Sequence, residues 1–599
     1  MKIESGSFDG FAGNERAESF LGVERSATGK RWIGPSIVSE RSAVEIEQNT
    51  RLPGIICRVL ASRNVSACDA KAYLEPKLRD LMSDPSNLLD MDRAVERFLH
   101  AVLSRRKIAI FADYDVDGTC SACMLSNWIE VMSLRPTVYI PDRLTEGYGP
   151  NPDAMAKLSA EHEMIICVDC GTTANDALAA AQRSEIIVLD HHTGGEFLPD
   201  SAAVVNPNRQ DEESDLGYLS AAGVVFMFLV AANRQIRARG MTAPDILGSL
   251  DLVALATVAD MAPLTGLNRA LVRQGLTVAR MRKRAGLRAL TETAGVNSTL
   301  SAYHLGYVLG PRINAGGRIG KSDIGLKLLL TREAPQARFL AKQLEELNRE
   351  RRDMTEIVIE EAQVQAESRA VDAPLVWAAK EGWHPGIVGI AAARLVQKFS
   401  RPAVVIAIDR EQGKGSARSI RGIDLGAAVA ICRTENLLVR GGGHAMAAGL
   451  TVEKDRIEEA MARIGQLLDR QGASEPRSAT LRVQGAIMPS AISLDLINAL
   501  EAVGPYGSGS PAPRFVLPSV RVKFAKTIKQ KHLMLSLSDE SGATIEAIAF
   551  RANESPLGPF LTDRKNGAIH VAGKLSLNDY RGRIRQRIEI EDAAKAAPN

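Results

Sequence analysis

Short apolar runs that end in acidic residues recur in the first half of the chain. The run KIAIFADYDVDG leads into Asp113, Asp115 and Asp117, MIICVDCGTT ends at Asp169, and EIIVLDHHTGG ends at Asp190. Alanine-rich helical stretches such as ANDALAAAQR lie between them. Continuous apolar strands alternating with helices predict a parallel α/β sheet. Ligands of such sheets bind beyond the carboxyl ends of the strands, which is where these acids fall.

Composition and the spacing of apolar residues divide the chain into six segments. Residues 1–36 are rich in Gly, Ser and Glu and predict a flexible lead-in, and residues 37–97 predict short amphipathic helices. Residues 98–332 form the predicted parallel-sheet domain, and residues 333–370 predict one long, charge-rich connecting helix. A second α/β domain follows at 371–471. Short alternating strands over 478–595 predict a small β-barrel of the OB type, a nucleic-acid-binding fold.

Composition narrows the class of protein. The 599 residues are 45% hydrophobic and 24% charged with a net charge of +3, so bulk charge does not indicate a nucleic-acid binder and any basic surface is local. No apolar run is long enough to cross a bilayer, and we expect no membrane partner. The seven cysteines are too few for a disulfide scaffold and odd in number, which favours the cytoplasm.

The acidic residues predict a metal site. Asp113, Asp115 and Asp117 have a period of two, so on an extended strand end they face one side. Carboxylates with one or two imidazoles suit Mn²⁺ or Mg²⁺, as one ion or two, better than structural zinc. An EF-hand is excluded because the twelfth position from Asp113 is Met124 and the flanking run is a strand. The candidate metal ligands are Asp113, Asp115, Asp117, Asp169, His191 and Asp260.

Two cysteine pairs offer a competing zinc site. Cys120 and Cys123, and Cys167 and Cys170, both have the CxxC spacing. On a strand, however, Cys167 and Cys170 point to opposite faces, which favours packing thiols over zinc ligands.

Four motifs resemble those of the DHH phosphoesterase superfamily: ADYDVDGT, VDCGTT, LDHHTGGE and ATVADMAPL. The resemblance continues through GPRINAGGRIG, WHPGIVGIAAAR, GSARS and GGGHAMAAG to the single-strand-specific exonucleases of that superfamily. It implies a DHH catalytic domain joined by a long helix to a DHHA1-like α/β domain, plus a C-terminal OB-fold barrel. It also implies 5′-to-3′ degradation of single-stranded DNA to mononucleotides with Mn²⁺ or Mg²⁺ in recombination and repair, beside a single-strand-binding protein and a helicase.

The resemblance also assigns roles around the metals. Asp115, Asp117, Asp169, His191 and Asp260 match the ligand positions of the family. His192 would lie near the scissile phosphate as a proton donor or charge stabiliser, and Asp190 would orient it. Many superfamily members carry a histidine four positions before the first ligand aspartate, where this chain has Phe111. The first ion is therefore held differently, and Asp113 is the candidate for that role.

Candidate nucleic-acid residues lie later in the chain. Guanidinium and hydroxyl groups at Arg312, Arg318, Ser416 and Arg418 suit phosphate oxygens. The backbone N–H groups of Gly442, Gly443 and His444 suit close contact with a phosphate, and His384 and Arg394 are weaker candidates. In the barrel, basic and aromatic residues together indicate single-strand binding: Lys523, Lys526, Lys529, Lys531, Arg581, Arg583 and Arg585, with Phe524, Phe550 and Tyr580.

Three other functions compete. A phosphodiesterase for very short oligonucleotides or cyclic dinucleotides has the two core domains but no barrel. A non-catalytic scaffold has an eroded metal site, whereas every motif acid is present here. An inorganic pyrophosphatase leaves the barrel unexplained.

Overall fold

The structure is a computed structural model. It describes residues 18–143, 145–369, 373–475, 479–580 and 583–596. Within those residues no helix combines the length and the apolar character that a membrane span requires.

The N-terminal module corrects the predicted lead-in. Residues 1–17 lie outside the described part of the chain, but Arg31–Ile33 form a strand, β1, that pairs in parallel with residues Thr480–Arg482. Trp32 is fully buried, and its Nε1 donates a hydrogen bond to Asp592 at 2.9 Å, so this part of the lead-in is ordered by the C-terminal segment. The helices that follow are α1 Ile37–Thr50, α2 Gly54–Ala61, α3 Ala70–Leu74 and α4 Leu78–Leu81.

The catalytic-type domain holds the predicted parallel sheet. Its strands are β2 Ile108–Ala112, β3 Thr137–Tyr139, β4 Met164–Val168, β5 Glu185–Leu189 and β6 Ala203–Val205, in the order β3-β2-β4-β5-β6 with every pair parallel. Its helices are α5 Met91–Leu103, α6 Val116–Val131, α7 Pro152–Glu161, α8 Asn175–Ala179, α9 Ala221–Ala238, α10 Leu250–Ala259, α11 Gly266–Arg280, α12 Ala285–Thr293, α13 Gly310–Ile319 and α14 Ile324–Leu330. The central strands are buried on both faces, as their continuous apolar sequences predict.

The predicted boundary at residue 97 is wrong. Helix α5 runs through it, and its apolar face, including Phe98 and Leu99, packs in the core of the catalytic-type domain. The spacing of its apolar residues makes α5 strongly amphipathic, so it covers the sheet rather than closing the N-terminal module.

A single helix joins the catalytic-type domain, the first lobe, to the α/β domain that follows it, the second lobe. Helix α15, Ala334–Ser368, begins with proline in its first turn and contains no glycine. Leu340 and Leu344 pack in the first core, whereas Val358 and Ala362 pack in the core of the second lobe. Both lobes therefore rest on one rigid element.

The second lobe is a mixed α/β sheet. It contains β7 Val376–Glu381, α16 Val388–Phe399, β8 Ala403–Asp409, β9 Gln412–Arg418, α17 Leu425–Thr434, β10 Arg440–His444, β11 Ala447–Glu453 and α18 Ile457–Asp469. The order is β10-β11-β9-β8-β7, which leaves the glycine-rich strand β10 at one edge.

The C-terminal region confirms the predicted barrel. After β12 Thr480–Arg482 and α19 Leu494–Val503, a closed barrel forms from β13 Phe515–Ile528, β14 His532–Ser538, β15 Thr544–Ala549, β16 Ile569–Tyr580 and β17 Arg583–Lys595, with α20 Leu557–Thr562 inserted. Its core is continuous with α1 and α2, since Ile46 and Leu60 cluster with Leu535 and Ile588. Helices α1 and α2 and the C-terminal barrel thus fold as one unit, the terminal unit.

Candidate active site

The first acidic motif turns from a strand into a helix, which corrects the expected extended geometry. Strand β2 ends at Ala112, and Asp115 caps α6, its Oδ1 accepting hydrogen bonds from the N–H groups of Asp117 at 2.8 Å and Gly118 at 3.1 Å. A Cβ at Gly118 would lie 2.4 Å from the carbonyl oxygen of Asp113, so this tight turn requires glycine. The three carboxylates converge because the chain turns, not because they alternate along a strand.

The other acids reach the same point from separate elements. The Asp117 carboxylate accepts hydrogen bonds from the N–H groups of Ala221 at 2.7 Å and Ala222 at 2.8 Å, at the start of α9. Asp169 follows β4 with φ +61°, a left-handed conformation that a non-glycine residue rarely adopts. Asp260 lies at the C-terminal end of α10.

His191 faces three carboxylates with one ring nitrogen. Its Nδ1 lies 3.1 Å from the carbonyl oxygen of Leu219, so Nδ1 donates and Nε2 is free to act as a ligand. Nε2 lies 3.3 Å from Asp169 Oδ1 and 3.8 Å from carboxylate oxygens of both Asp117 and Asp260.

His192 is held between two other groups. Its Nδ1 lies 2.8 Å from Asp190 Oδ1, and its Nε2 lies 2.9 Å from the hydroxyl of Tyr148. Asp190 is buried and also accepts hydrogen bonds from the N–H and hydroxyl of Thr172. Although burial opposes both effects, the hydrogen bond between the pair raises the pKa of His192 to about 9 and lowers the pKa of Asp190. The hydrogen bond to Asp190 therefore favours the protonated form of His192, which can donate.

The acid cluster has the character of a cation site. Burial raises the pKa of Asp113, Asp117 and Asp169, and neighbouring carboxylates raise it further, while the pKa of Asp260 rises to about 8 for the same reasons. Oδ1 of Asp113 and Oδ1 of Asp169 are buried without a hydrogen-bond partner. Acceptor-only groups left in this state fit a hard divalent cation.

The donor atoms form three overlapping groups, each within 4.8 Å. They are Asp169 with His191 and His192, Asp117 with His191 and Asp260, and Asp113 with Asp115 and Asp169. This geometry leaves room for one ion or two.

The structure shows what surrounds Phe111 and the cysteines of the two CxxC pairs. Phe111, whose side chain has no ligand atom, is buried and stacks on Tyr139, with ring centroids 5.5 Å apart. The four cysteines of the CxxC pairs are buried and free, and burial raises the pKa of each thiol. Among the described residues none of them belongs to a potential metal-binding group.

A group of arginines, the arginine cluster, lies near the acid cluster, since Asp115 is an electrostatic neighbour of Arg318 and Arg143 is one of Asp113. Arg318 lies near the end of α13, where its Nη1 donates to the carbonyl of Gly386 in the second lobe at 3.0 Å, and Arg418 ends β9. Burial, then Arg143 and Arg351, lower the pKa of Arg318 to about 10, and burial and Arg143 lower the pKa of Arg418. Crowded, partly desolvated guanidinium groups from both lobes favour the binding of an anion.

Arg312, the other arginine of this motif that was predicted to contact phosphate, is engaged in contacts within the protein. Only 6% of it is exposed, its Nε pairs with Glu345 of α15, and its Nη1 donates to the carbonyl of Val308 at 2.6 Å. The sequence places it six residues from Arg318, but the helix turns the two side chains to different faces.

The other predicted phosphate contacts lie along one sheet. Ser416 pairs in register with Gly449, which pairs with Gly442, and Arg418 pairs with Ala447, which pairs with His444. Gly443 has φ +154°, and a Cβ there would lie 2.4 Å from the carbonyl oxygen of Ala447, so this strand also requires glycine. His384 lies beside Arg318, since its Nδ1 accepts a hydrogen bond at 3.0 Å from the N–H of Gly386, the residue whose carbonyl Arg318 contacts. Arg394 instead donates to Gln397 on exposed helix surface.

Two residues of the site were missed by the sequence reasoning, Arg143 and Tyr148. Both lie in the loop between β3 and α7, and the guanidinium of Arg143 lies 5.2 Å from the ring centre of Tyr114. Their sequence signal is weak: the segment PDRLTEGYGP has glycines on either side of a tyrosine but no strand-end acid.

Comparison with known proteins agrees with this architecture. Residues 107–257 match the DHH family, N-terminal domain, residues 372–470 match the DHHA1 domain, and residues 483–592 match the RecJ OB domain. The chain is 34% identical to the single-stranded-DNA-specific exonuclease RecJ of Dickeya dadantii over 92% of this chain and 98% of that protein. The chain belongs to the RecJ family.

Other RecJ proteins extend the similarity. RecJ of Escherichia coli is 30% identical over 90% of this chain and 96% of its own length, and RecJ of Bacillus subtilis is 31% identical over 92% and 69%. The crystal structure of RecJ from Thermus thermophilus in complex with Mn²⁺ superposes with a TM-score of 0.79 at 27% identity, covering 95% of this chain and 80% of that one. Its Mg²⁺ complex gives 0.73 at 26% identity, covering 95% and 79%.

The RecJ-type barrel has exposed rings near its basic residues. Phe524 and Phe550 are each 54% exposed, and the ring of Phe550 lies edge-on to His532 at 5.6 Å. The predicted lysines lie on β13 and in the turn that joins it to β14. Of the second basic run predicted from sequence, Arg581 lies outside the described residues, as do the side chains of Tyr580 and Arg583.

Proposed function

We propose that this protein is a metal-dependent exonuclease that degrades single-stranded DNA from the 5′ end, releases mononucleotides, and acts in recombination and repair. The observation that carries the proposal is the junction of two sites of opposite charge. Buried carboxylates, two of which have an oxygen without a hydrogen-bond partner, lie within electrostatic range of guanidinium groups contributed by both lobes. Metal ions held by the acids would neutralise the charge of the reacting phosphodiester. The arginines would neutralise the charge of a terminal phosphate.

The metal would be Mn²⁺ or Mg²⁺, one ion or two, held by Asp113, Asp115, Asp117, Asp169, His191 and Asp260. When bound, it supplies an activated water and neutralises charge on the reacting phosphate. The named relatives with Mn²⁺ and Mg²⁺ support this choice.

The remaining groups act on protons and on substrate position. His192, protonated through Asp190, would donate a hydrogen bond to the phosphate or a proton to the leaving oxygen. Asp190 keeps the ring in one orientation because its other oxygen is fixed by Thr172. Arg318, Arg418 and Ser416 would hold the 5′ phosphate, with Gly442, Gly443 and His444 close to the adjoining backbone.

Exposed aromatic residues support a single-stranded substrate. Tyr303 and Tyr307 are about 60% exposed, and their rings stack with centroids 5.3 Å apart on the helical turn that leads into α13. The same continuous helix carries Arg318 at its far end, and under this proposal the tyrosines would contact a DNA strand further from the end that Arg318 holds. Unpaired bases stack on such rings, whereas paired bases cannot reach them.

Location and partners follow from this activity as part of the proposal. Seven free cysteines suit a reducing cytoplasm. An enzyme restricted to single strands depends on a helicase to separate duplex, and it meets single strands coated by a single-strand-binding protein.

The test uses single strands and duplexes blocked at the 5′ or the 3′ end, with Mn²⁺, Mg²⁺ or EDTA. We expect mononucleotide release only from single strands with a free 5′ end and only with metal. Release from 5′-blocked strands would disprove the polarity, and release in EDTA would disprove the metal dependence.

A further inference from the structure

The loop between β3 and α7 brings two side chains to the candidate active site. Tyr148 contacts His192 through its hydroxyl at 2.9 Å, and Arg143 lies over the ring of Tyr114 at 5.2 Å. Neither side chain belongs to a helix or strand, so the loop itself must keep them in place.

Glu146 is the residue that ties this loop together. Its Oε1 accepts a hydrogen bond from the N–H of Asp142 at 2.8 Å, and its Oε2 accepts from the hydroxyl of Tyr139 at 2.6 Å and the amide of Asn151 at 3.2 Å. Its own N–H donates to the carbonyl of Asp142 at 2.8 Å. One carboxylate therefore joins the beginning, middle and end of the loop.

Two partners of Glu146, Tyr139 and Asn151, belong to the regular structure on either side of the loop. Tyr139 is the last residue of β3 and stacks on Phe111 of the central strand β2. Burial and the carboxylate of Glu146 raise the pKa of Tyr139 to about 12, so the phenol keeps the proton that it donates. Asn151 caps α7, its Oδ1 accepting from the N–H of Ala154 at 2.9 Å.

We propose that Glu146 is a positioning residue. It holds Tyr148 against His192 and holds Arg143 among the other arginines, without touching substrate itself. The inference rests on the proposed function and adds to it a residue outside every motif that the sequence suggested. Glycines on both sides of Tyr148, at φ +91° for Gly147 and φ +72° for Gly149, leave the backbone without intrinsic stiffness there. The order of this loop must come from its hydrogen bonds.

The first experiment measures single-turnover cleavage of a short 5′-phosphorylated single strand with Mn²⁺ by Glu146→Gln and Glu146→Ala. Misplacement of reacting groups by about 1 Å costs roughly 100-fold in rate, so we expect a loss of about that size for Glu146→Ala. Glu146→Gln keeps one acceptor oxygen and should lose less. Calorimetric Mn²⁺ affinity should stay at the wild-type value, because Glu146 contacts no candidate ligand.

A matched control and a mutant cycle separate positioning from general damage. Glu163 lies at the opposite end of the same sheet and accepts a hydrogen bond from the N–H of Lys107 at 3.0 Å. Glu163→Gln should leave cleavage unchanged. If Glu146 acts through Tyr148, adding Tyr148→Phe to Glu146→Ala should cost much less than it costs the wild type. Fully additive losses, or wild-type cleavage by Glu146→Ala, would overturn the proposal.

A spectroscopic readout keeps the two proposals distinguishable. The imidazole NMR signals of His192, assigned with His192→Gln, should shift in Glu146→Ala because the Tyr148 hydroxyl moves away from Nε2. Unchanged signals would disprove the positioning role even if the wild-type enzyme is active. A wild-type protein without nuclease activity would disprove the proposed function, while a shifted His192 signal would still support the role of Glu146.

Discussion

The acid cluster should make the metal-free protein less stable than it would be without it, and Asp260 offers the clearest test. Its pKa is raised to about 8 by burial and by the neighbouring carboxylates, mainly Asp117 and Asp115. Each pKa unit corresponds to about 1.4 kcal/mol, so at pH 7, where the unfolded aspartate is ionised and folded Asp260 is still largely protonated, the raised pKa costs the folded state about 4 kcal/mol. Replacing Asp260 with asparagine removes the charge but keeps the shape.

The pH dependence fixes the sign of this effect. An unfolded aspartate loses its proton near pH 4, whereas folded Asp260 keeps it to about pH 8. Between these values the folded state binds more protons, so the stability of the metal-free wild type falls as pH rises. Asn at position 260 does not titrate, so the free energy of unfolding of Asp260→Asn does not carry this pH dependence. The amount by which it exceeds that of the metal-free wild type should grow from pH 5 to pH 8 and then level off.

Thermal unfolding in EDTA measures the difference. Because the neighbouring acids share part of the cost, we expect a gain of about 2 to 4 kcal/mol at pH 7, which is several degrees in Tm for a domain of this size. Asp200→Asn, at an exposed position of the same domain, serves as the control and should change little. Mn²⁺ should stabilise the wild type more than Asp260→Asn, and nuclease activity of the variant should fall.

Two results would refute the reasoning. Asp260→Asn could be less stable than the wild type in EDTA at pH 7, which would mean that the carboxylate makes net favourable contacts within the protein. The gain could also be equal at pH 5 and pH 8, which would mean that it arises from packing rather than from charge.

Three further predictions concern other parts of the molecule. Asp169→Ala should abolish turnover with an intact fold, since it removes an oxygen shared by two ligand groups; near-wild-type cleavage would exclude it as a ligand. His191→Ala should weaken metal binding as well as rate, whereas His192→Ala should mainly lower kcat by roughly 10²- to 10⁴-fold; equal losses of metal affinity in titrations would contradict this division. Arg269→Ala should weaken the contact between the catalytic-type domain and the C-terminal segment, because the buried guanidinium of Arg269 donates to the carbonyls of Val503 and Gly504. We expect the free energy of unfolding to fall by roughly 2 kcal/mol. An unchanged free energy of unfolding would contradict this role of Arg269.

Sequence patterns predicted the parts of the fold that depend on local chemistry. Apolar strands that end in acids predicted the parallel sheet, and their ends converge as such sheets require. The long helix and the barrel also follow from residue periodicity alone. The family resemblance then gave the order of domains, which the matched domains confirm.

The errors arise where distant segments decide the outcome. The lead-in looked flexible because its composition is polar, but Trp32 is buried and donates a hydrogen bond to Asp592, 560 residues away along the chain. Arg312 was predicted to contact phosphate because its guanidinium group suits phosphate oxygens, but in this structure it pairs with Glu345 of α15. No local pattern carries either contact.

The shared terminal core changes how DNA binding and chemistry can be separated. Removing the chain from about residue 478 onward would expose the faces of α1 and α2 that pack against the barrel, so the truncated protein would lose part of its fold together with the barrel. Exposed residues of the barrel are the better target. Lys526→Ala with Phe524→Ala should weaken binding of long single strands, most strongly at low salt, and leave short strands unaffected. Arg418→Ala should instead slow the cleavage of DNA strands of every length, because Arg418 acts at the 5′ end of the strand. An effect confined to long strands would show that Arg418 does not hold the 5′ phosphate.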